Sequence, residues 1–260
     1  MRILLPPSEG KTTPTEGPPL AFDALSHPAL NDARRTLMGA LSRLCADDPA
    51  AARAALGLGD AQDAELARNR SLESAPTAPA WRVYTGVLYA ALDAGSLDDD
   101  ARASLGRRVW VASALFGLVG LGDPIPAYRL SGDVRLPGIG ALPAFWKPRL
   151  TPLLAAETGL VVDLRSGTYV KLAPLPASVA PRAVAPRVLQ KMASGPPKVV
   201  THFNKATKGR LVRALAERGA LPQTPDAFAQ EVARCGHDVA LTPPAAPGAP
   251  WGMDVVVDAL

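Results

Sequence analysis

Twenty-seven of the 260 residues are proline, about twice the usual share of ~5%, and this constrains the fold more than any other feature. Each proline fixes φ and removes a backbone donor, so it interrupts helices and is kept out of central strands. A coiled coil or long-helix bundle is excluded, and short elements joined by rigid connections are expected. Hydrophobic residues at 48% against charged residues at 20% supply a core and lie far from the disorder signature. The length admits one large domain or two modest ones.

No apolar run approaches the ~18–20 residues that span a bilayer. The start, Met1-Arg2-Ile3-Leu4-Leu5-Pro6-Pro7, is too short for a signal segment. A cytoplasmic monomer with no membrane partner is expected. Cys45 and Cys235 stand far apart with no CxxC, and His27, His202 and His237 fall in separate segments. Neither a disulfide framework nor a metal site is suggested, and no cofactor is expected.

Net charge is +4, but its distribution says more than its total. From Leu44 to Asp100 there are ten acids against four bases, whereas from Arg182 to Arg218 there are nine bases and one acid, Glu217. The first segment, rich in alanine, reads as an outer face. The second could meet a polyanion, since clustered Lys and Arg release counterions from phosphates.

Residues 2–5 read as a buried strand, followed by a Pro/Gly/Thr loop from Pro6 to Pro19, a length at which loops are often functional. Leu30, Ala33, Leu37, Leu41 and Leu44 mark an amphipathic helix with Asp32, Arg34 and Arg35 facing away. Further helices are expected at 86–93, 98–106, 144–157, 205–218 and 225–234. Strands are expected at Arg108–Ser113, Leu160–Leu164, Tyr169–Leu172, Lys198–Phe203 and Asp254–Asp258, with the proline-rich 173–197 crossing a surface. Elements interleave without a regular βαβ rhythm, so the fold class is α+β, a mixed α/β single domain over 1–260 with a mixed sheet and flanking helices.

Three segments could carry chemistry. Gly10-Lys11-Thr12 is the second half of a phosphate-binding loop, but position 5 is Leu where the motif needs Gly, and Pro14 follows in place of a helix. What remains is either a plain turn or a loop Ser, Lys and Thr reaching a cleft past a strand end. Leu136-Pro137-Gly138-Ile139-Gly140 matches the hairpin of a helix-hairpin-helix, whose bare N–H groups can dock a phosphate. Leu130–Val134 makes a poor first helix, so a mere glycine turn is the competing reading. In the 205–218 helix Lys208 falls inside the Leu211, Val212, Leu215 stripe, where it either snorkels or points into a cleft. Gly209 suggests close approach of a backbone or ligand.

An ordered set of segments carries a family resemblance: Pro6–Thr12, Val83–Val87, Ala114–Val119, Pro126–Leu130, Phe145-Trp146, Val162–Lys171 and Phe203–Gly209. Together they resemble the YaaA peroxide-stress family from residue 2 to about 220. The resemblance implies a one-domain mixed α/β fold with a helix-hairpin-helix element lining a basic cleft. It also implies non-specific binding of duplex DNA in a protein that limits oxidative damage. Carried over, the cleft would receive Lys11, Thr12, Tyr84, Gly86, Tyr128, Arg129, Trp146, Ser166, Tyr169, Lys171, Lys205, Lys208 and Gly209, with Gly138 and Gly140 as the hairpin. Where the family has a KKAR stretch this chain has Lys205-Ala206-Thr207-Lys208, one base fewer. The alternative is an enzyme acting on a phosphorylated or nucleobase-like small molecule in the same cleft, with Lys11, Tyr84, Arg129, Ser166, Tyr169 and Lys208 as candidate catalytic groups. Either way, cations gathered from separated segments need a bound anion or a partner acid such as Glu9 or Asp163.

Overall fold

The computed structural model describes residues 1–192, 195, 197, 198 and 201–257, the side chains of 201–203 excepted. In chain order the strands are β1 (Arg2–Leu5), β2 (Ala78–Pro79), β3 (Val109–Ser113), β4 (Gly117–Gly120), β5 (Pro124–Ile125), β6 (Arg135–Leu136), β7 (Gly140–Ala141), β8 (Val161–Asp163), β9 (Ala183–Gln190), β10 (Asp238–Thr242) and β11 (Trp251–Val257). The α-helices are α1 (Asn31–Asp47), α2 (Pro49–Leu56), α3 (Asp63–Arg70), α4 (Ala80–Val83), α5 (Val87–Leu92), α6 (Asp99–Arg108), α7 (Leu142–Ala155), α8 (Gly167–Leu172), α9 (Thr201–Glu217) and α10 (Pro225–Arg234).

Seven strands form one mixed sheet in the order β10-β11-β9-β8-β1-β3-β4. The pairs β11/β9, β9/β8, β8/β1 and β1/β3 are parallel, and only the outer strands β10 and β4 run antiparallel to their neighbours. The central strands are continuous apolar runs because helices cover both faces of a parallel sheet: Ile3, Leu4, Leu5, Val161 and Val162 are each 0% exposed. Helices α1–α3 pack against this core, with Leu37, Met38 and Leu41 of α1 buried in it.

Several elements differ from the sequence reading. Residues 169–172 are helical, within α8, because Ser166-Gly167 turns the chain out of β8 into a helix. Residues 201–203 belong to α9, and 199 and 200, which complete the strand expected there, lie outside the described residues. The segment expected to cross a surface contains β9, whose ladder with β8 covers only Ala183 and Val184. Pro186 therefore sits where the strand is paired on the β11 side alone, the situation in which proline is tolerated. Helix α7 carries Pro148 and Pro152 inside it. Both lie opposite the buried stripe Leu142, Trp146, Leu150 and Leu154, and are exposed where a missing donor costs little. Arg34, expected to face away from the core, is fully buried in it.

Candidate functional site

Strand β1 is where the sheet's connections diverge: the chain leaves it toward β3 on one side and returns to β8 on the other. In parallel sheets this switch point opens a crevice beyond the strands' carboxyl ends, because the loops leave in opposite directions. The loop after β1 (Pro6–Thr12), the end of β3 at Ser113 and the turn from β8 into α8 all emerge there.

The β1 loop is pinned by its own backbone. Lys11 forms a bridge with Tyr84, Thr12 N donates to Val83 O at 2.9 Å, and Thr85 N donates to Ser8 Oγ at 2.9 Å. Gly86, at φ +92, starts α5 in a conformation that side-chain-bearing residues rarely adopt. This brings Thr85 and Val87 against the loop. Lys11 Nζ lies 4.2 Å from the Tyr128 ring centroid and 5.7 Å from that of Tyr84, and it donates to Ser8 O at 2.8 Å. Burial lowers its pKa to about 8, with Arg129 adding to the fall and Glu9 opposing it.

Behind this lysine the Tyr84 and Tyr128 hydroxyls meet at 3.0 Å, and Ser113 Oγ meets Tyr128 at 2.8 Å. All three groups are inaccessible to solvent, and burial pushes Tyr84 up to about 12. Glu9 is held from two sides: Arg129 Nη1 lies 3.1 Å from one oxygen and the Tyr169 hydroxyl donates to the other at 3.4 Å. Burial raises the Tyr169 pKa, and Glu9 raises it further. Arg129 is fixed through its backbone, whose N–H and C=O pair with the Asn69 side-chain amide at 2.9 and 2.8 Å.

A cavity of about 350 Å³ opens beside this cluster. Ser8, Glu9, Thr85, Ser166, Tyr169 and Lys205 supply its polar wall, and prolines 6 and 7 with Val87, Leu88 and Tyr89 its apolar one. Lys208, one turn along α9 from Lys205, donates to Leu164 O at 3.1 Å, and burial lowers its pKa. Asp163, the acid that opposes this fall, is itself engaged by Arg165 at 2.7 Å in a buried pair.

Of the residues read from sequence, Lys11, Tyr84, Tyr128, Arg129 and Tyr169 gather around the β1 loop, and Ser166 and Lys205 line the cavity with Tyr169. Others stand elsewhere. Trp146 is fully buried and donates its indole N–H to Ala114 O at 2.8 Å, so as a nucleic-acid contact it is corrected to a core residue. A Cβ on Gly209 would lie 2.2 Å from Leu88 O, so this glycine serves the crossing of α9 over α5 and leaves no room for a phosphate. Gly138 and Gly140 belong to the β6/β7 hairpin, and no helix precedes it over 126–134. The expected helix-hairpin-helix is thus a β-hairpin leading into α7. Gly138 borders a separate depression with Arg43, Asp47 and Asp48 of the α1 end. Thr12 and Lys171 are exposed and do not line the cavity. The basic 182–218 block is also dispersed: Arg187 pairs with Asp254, Arg213 with Glu217 and Arg218 with Glu231.

Sequence reasoning missed Tyr89, Asn69 and Ser113. A signal existed for the first: the chain has four tyrosines, and all four bear on this site. Asn69 and Ser113 had none, since a lone polar residue in an amphipathic segment looks like any other. Among the described residues no three His, Cys, Asp or Glu side chains are grouped to hold a metal ion. No helix among them is long and apolar enough to cross a membrane.

The family model described as peroxide stress protein YaaA matches residues 1–230. A UPF0246 protein of Streptomyces coelicolor is 44% identical over 259 residues, 99% of this chain and 98% of its own. A UPF0246 protein of Corynebacterium efficiens is 45% identical over 220 residues, covering 83% of this chain and 85% of its own.

Proposed function

Because the chain belongs to the YaaA peroxide-stress family, we propose that it serves that response as a cytoplasmic, monomeric enzyme whose switch-point cavity takes a nucleotide- or nucleobase-like small molecule. One observation carries this reading: polar side chains from four separated segments converge on a bounded space of about 350 Å³, within the range of small-ligand sites. Tracking a nucleic-acid backbone needs exposed cations, whereas Lys11 and Lys208 are desolvated and Arg129 is engaged by Glu9. The apolar wall of prolines and Tyr89 suits a planar ring, and Glu9 with Tyr169 suits its hydrogen-bonding edge. Tyr169 and Glu9 would exchange a proton with bound substrate, and the low pKa of Lys11 makes it the candidate base or nucleophile beside them.

Non-specific binding of duplex DNA is the second reading. What favours it is that Lys171, Lys205 and Arg210 are exposed and have no ion-pair partner among the described residues. Thermal-shift measurements with nucleobases, nucleosides and nucleotides, alongside titration of a short duplex at low salt, separate the two. The enzyme reading expects stabilisation by one ligand class, lost in Glu9→Gln and Tyr169→Phe. Duplex binding with a steep salt slope of about −0.9 per phosphate contact, and no small-molecule shift, would replace it with the second.

A further inference from the structure

Helix α9 presents Asn204, Lys205 and Lys208 at i, i+1 and i+4, a spacing that makes Lys208 the helical neighbour of both others. Lys205 lines the cavity. Lys208 Nζ reaches the carbonyl of Leu164, two residues ahead of Ser166, which lines the same cavity. The stripe therefore meets the β8–α8 turn at the cavity's edge.

The group is short of partners. An ammonium carries three donors, and a single acceptor, Leu164 O, bonds Lys208 among the described residues. The carboxylate of Asp163 is taken up by Arg165, Nε at 2.8 Å to one oxygen and Nη2 at 2.7 Å to the other. Lys205 has no ion-pair partner among the described residues, and Ser166 makes no side-chain capping bond at the start of α8. One residue away, Asn204 Oδ1 is buried with no hydrogen-bond partner among the described residues. A desolvated ammonium and an orphaned buried polar atom are costly to maintain, and one ligand would relieve both: an anion on Lys208, met from the solvent side by the exposed Lys205 and Ser166, carrying a donor for the asparagine.

We propose that Lys205, Lys208, Ser166 and Asn204 form the subsite for a phosphate monoester that has a hydroxyl beside the phosphate, as in a sugar phosphate. This rests on the small-molecule reading of the cavity and names the end of the ligand that anchors there. A carboxylate fits less well, since its two oxygens in one plane cannot serve two ammonium groups and a hydroxyl as a phosphate can.

The test is calorimetric titration of the full chain with inorganic phosphate and with ribose 5-phosphate, at constant ionic strength set with chloride. Ribose 5-phosphate should bind more tightly than phosphate. Lys205→Met and Lys208→Met should each weaken binding at least about tenfold, while Lys147→Met, an exposed lysine on α7, should change nothing. Absence of binding to the unaltered chain, unchanged affinity in Lys208→Met, or equal loss in Lys147→Met would each overturn the subsite. If Lys208→Met fails to fold by circular dichroism, the exposed Lys205→Met and Ser166→Ala carry the same test. Ribose 5-phosphate bound through these residues, with no nucleotide or nucleobase bound, would keep the subsite and remove the nucleotide reading. Nucleotides binding Lys208→Met as well as the unaltered chain would do the reverse.

Discussion

Arg34 shows how far one residue can depart from its pattern. All five of its guanidinium donors are used, on Ser26 O, His27 O, Phe116 O, Leu118 O and Asn31 Oδ1, at 2.7 to 3.4 Å. It ties α1 to the Ser26–His27 segment and to the start of β4. Arg34→Met would take this donor from the buried carbonyls of Phe116 and Leu118 at about 1–3 kcal/mol each, so a loss of at least ~2 kcal/mol is expected in urea unfolding with an unchanged m-value. Lys11 makes a pH-dependent prediction. Its ordinary pKa of 10.5 applies in the unfolded chain and about 8 in the fold, so between these values the unfolded chain holds the extra proton. Stability from this group therefore rises as pH climbs from 8 toward 10.5. Above pH 10 the buried Tyr84, with its pKa raised to about 12, acts in the opposite sense, because the unfolded tyrosine ionises first. Unfolding free energies at pH 7.5 and 9.5 should show the unaltered chain gaining on Lys11→Met, and a constant difference would contradict the assignment.

At the scale of elements, the crossing of α9 over α5 holds the site's two halves in register. It is possible because Gly209 has no Cβ to strike Leu88 O. Gly209→Ala would gain about 1 kcal/mol of helix propensity but force the two helices apart. Overpacking typically costs ~1–3 kcal/mol, so its cost should outweigh the gain and the melting temperature fall, with weaker ligand binding because Lys205 and Lys208 shift with the helix. Helix α7 shows the converse case. Trp146 packs so closely that a Cβ on Gly117 would lie 2.8 Å from its ring. Trp146→Ala should therefore cost ~3–5 kcal/mol and leave ligand affinity in the surviving folded fraction unchanged, as titration at low temperature would reveal.

Across the whole molecule, the parallel centre and the antiparallel margin differ in cooperativity. Strands β1 and β8 are buried on both faces and paired on both sides, whereas β10, at the edge of the sheet, pairs among the described residues with β11 alone and exposes alternate residues. Local opening should follow that gradient. Hydrogen exchange is expected to be slowest at Ile3–Leu5 and Val161–Asp163 and fastest, among the sheet strands, at β10. Equal protection at β10 would mean that the sheet opens as one unit. The site sits at the slow end of this gradient, which keeps Glu9, Tyr169 and Ser166 in fixed relation.

Local and apolar features are legible along the chain. Strands β1, β3 and β8 follow from short hydrophobic runs, to within a residue of the ranges expected, and α1, α6 and α10 from their periodicity. The ordered motif set carried the family and with it the residues around the β1 loop. Tertiary structure alone decided whether a cation is a ligand group or a strut. Arg34 and Lys208 both lie on helices, yet one is saturated by carbonyls and the other is left short of acceptors. It also decided that a glycine serves packing, and that 169–172 follow the Ser166-Gly167 turn into a helix despite a strand-like sequence. Each of these depends on which distant backbone arrives nearby, and a spacing along the chain carries no information about that.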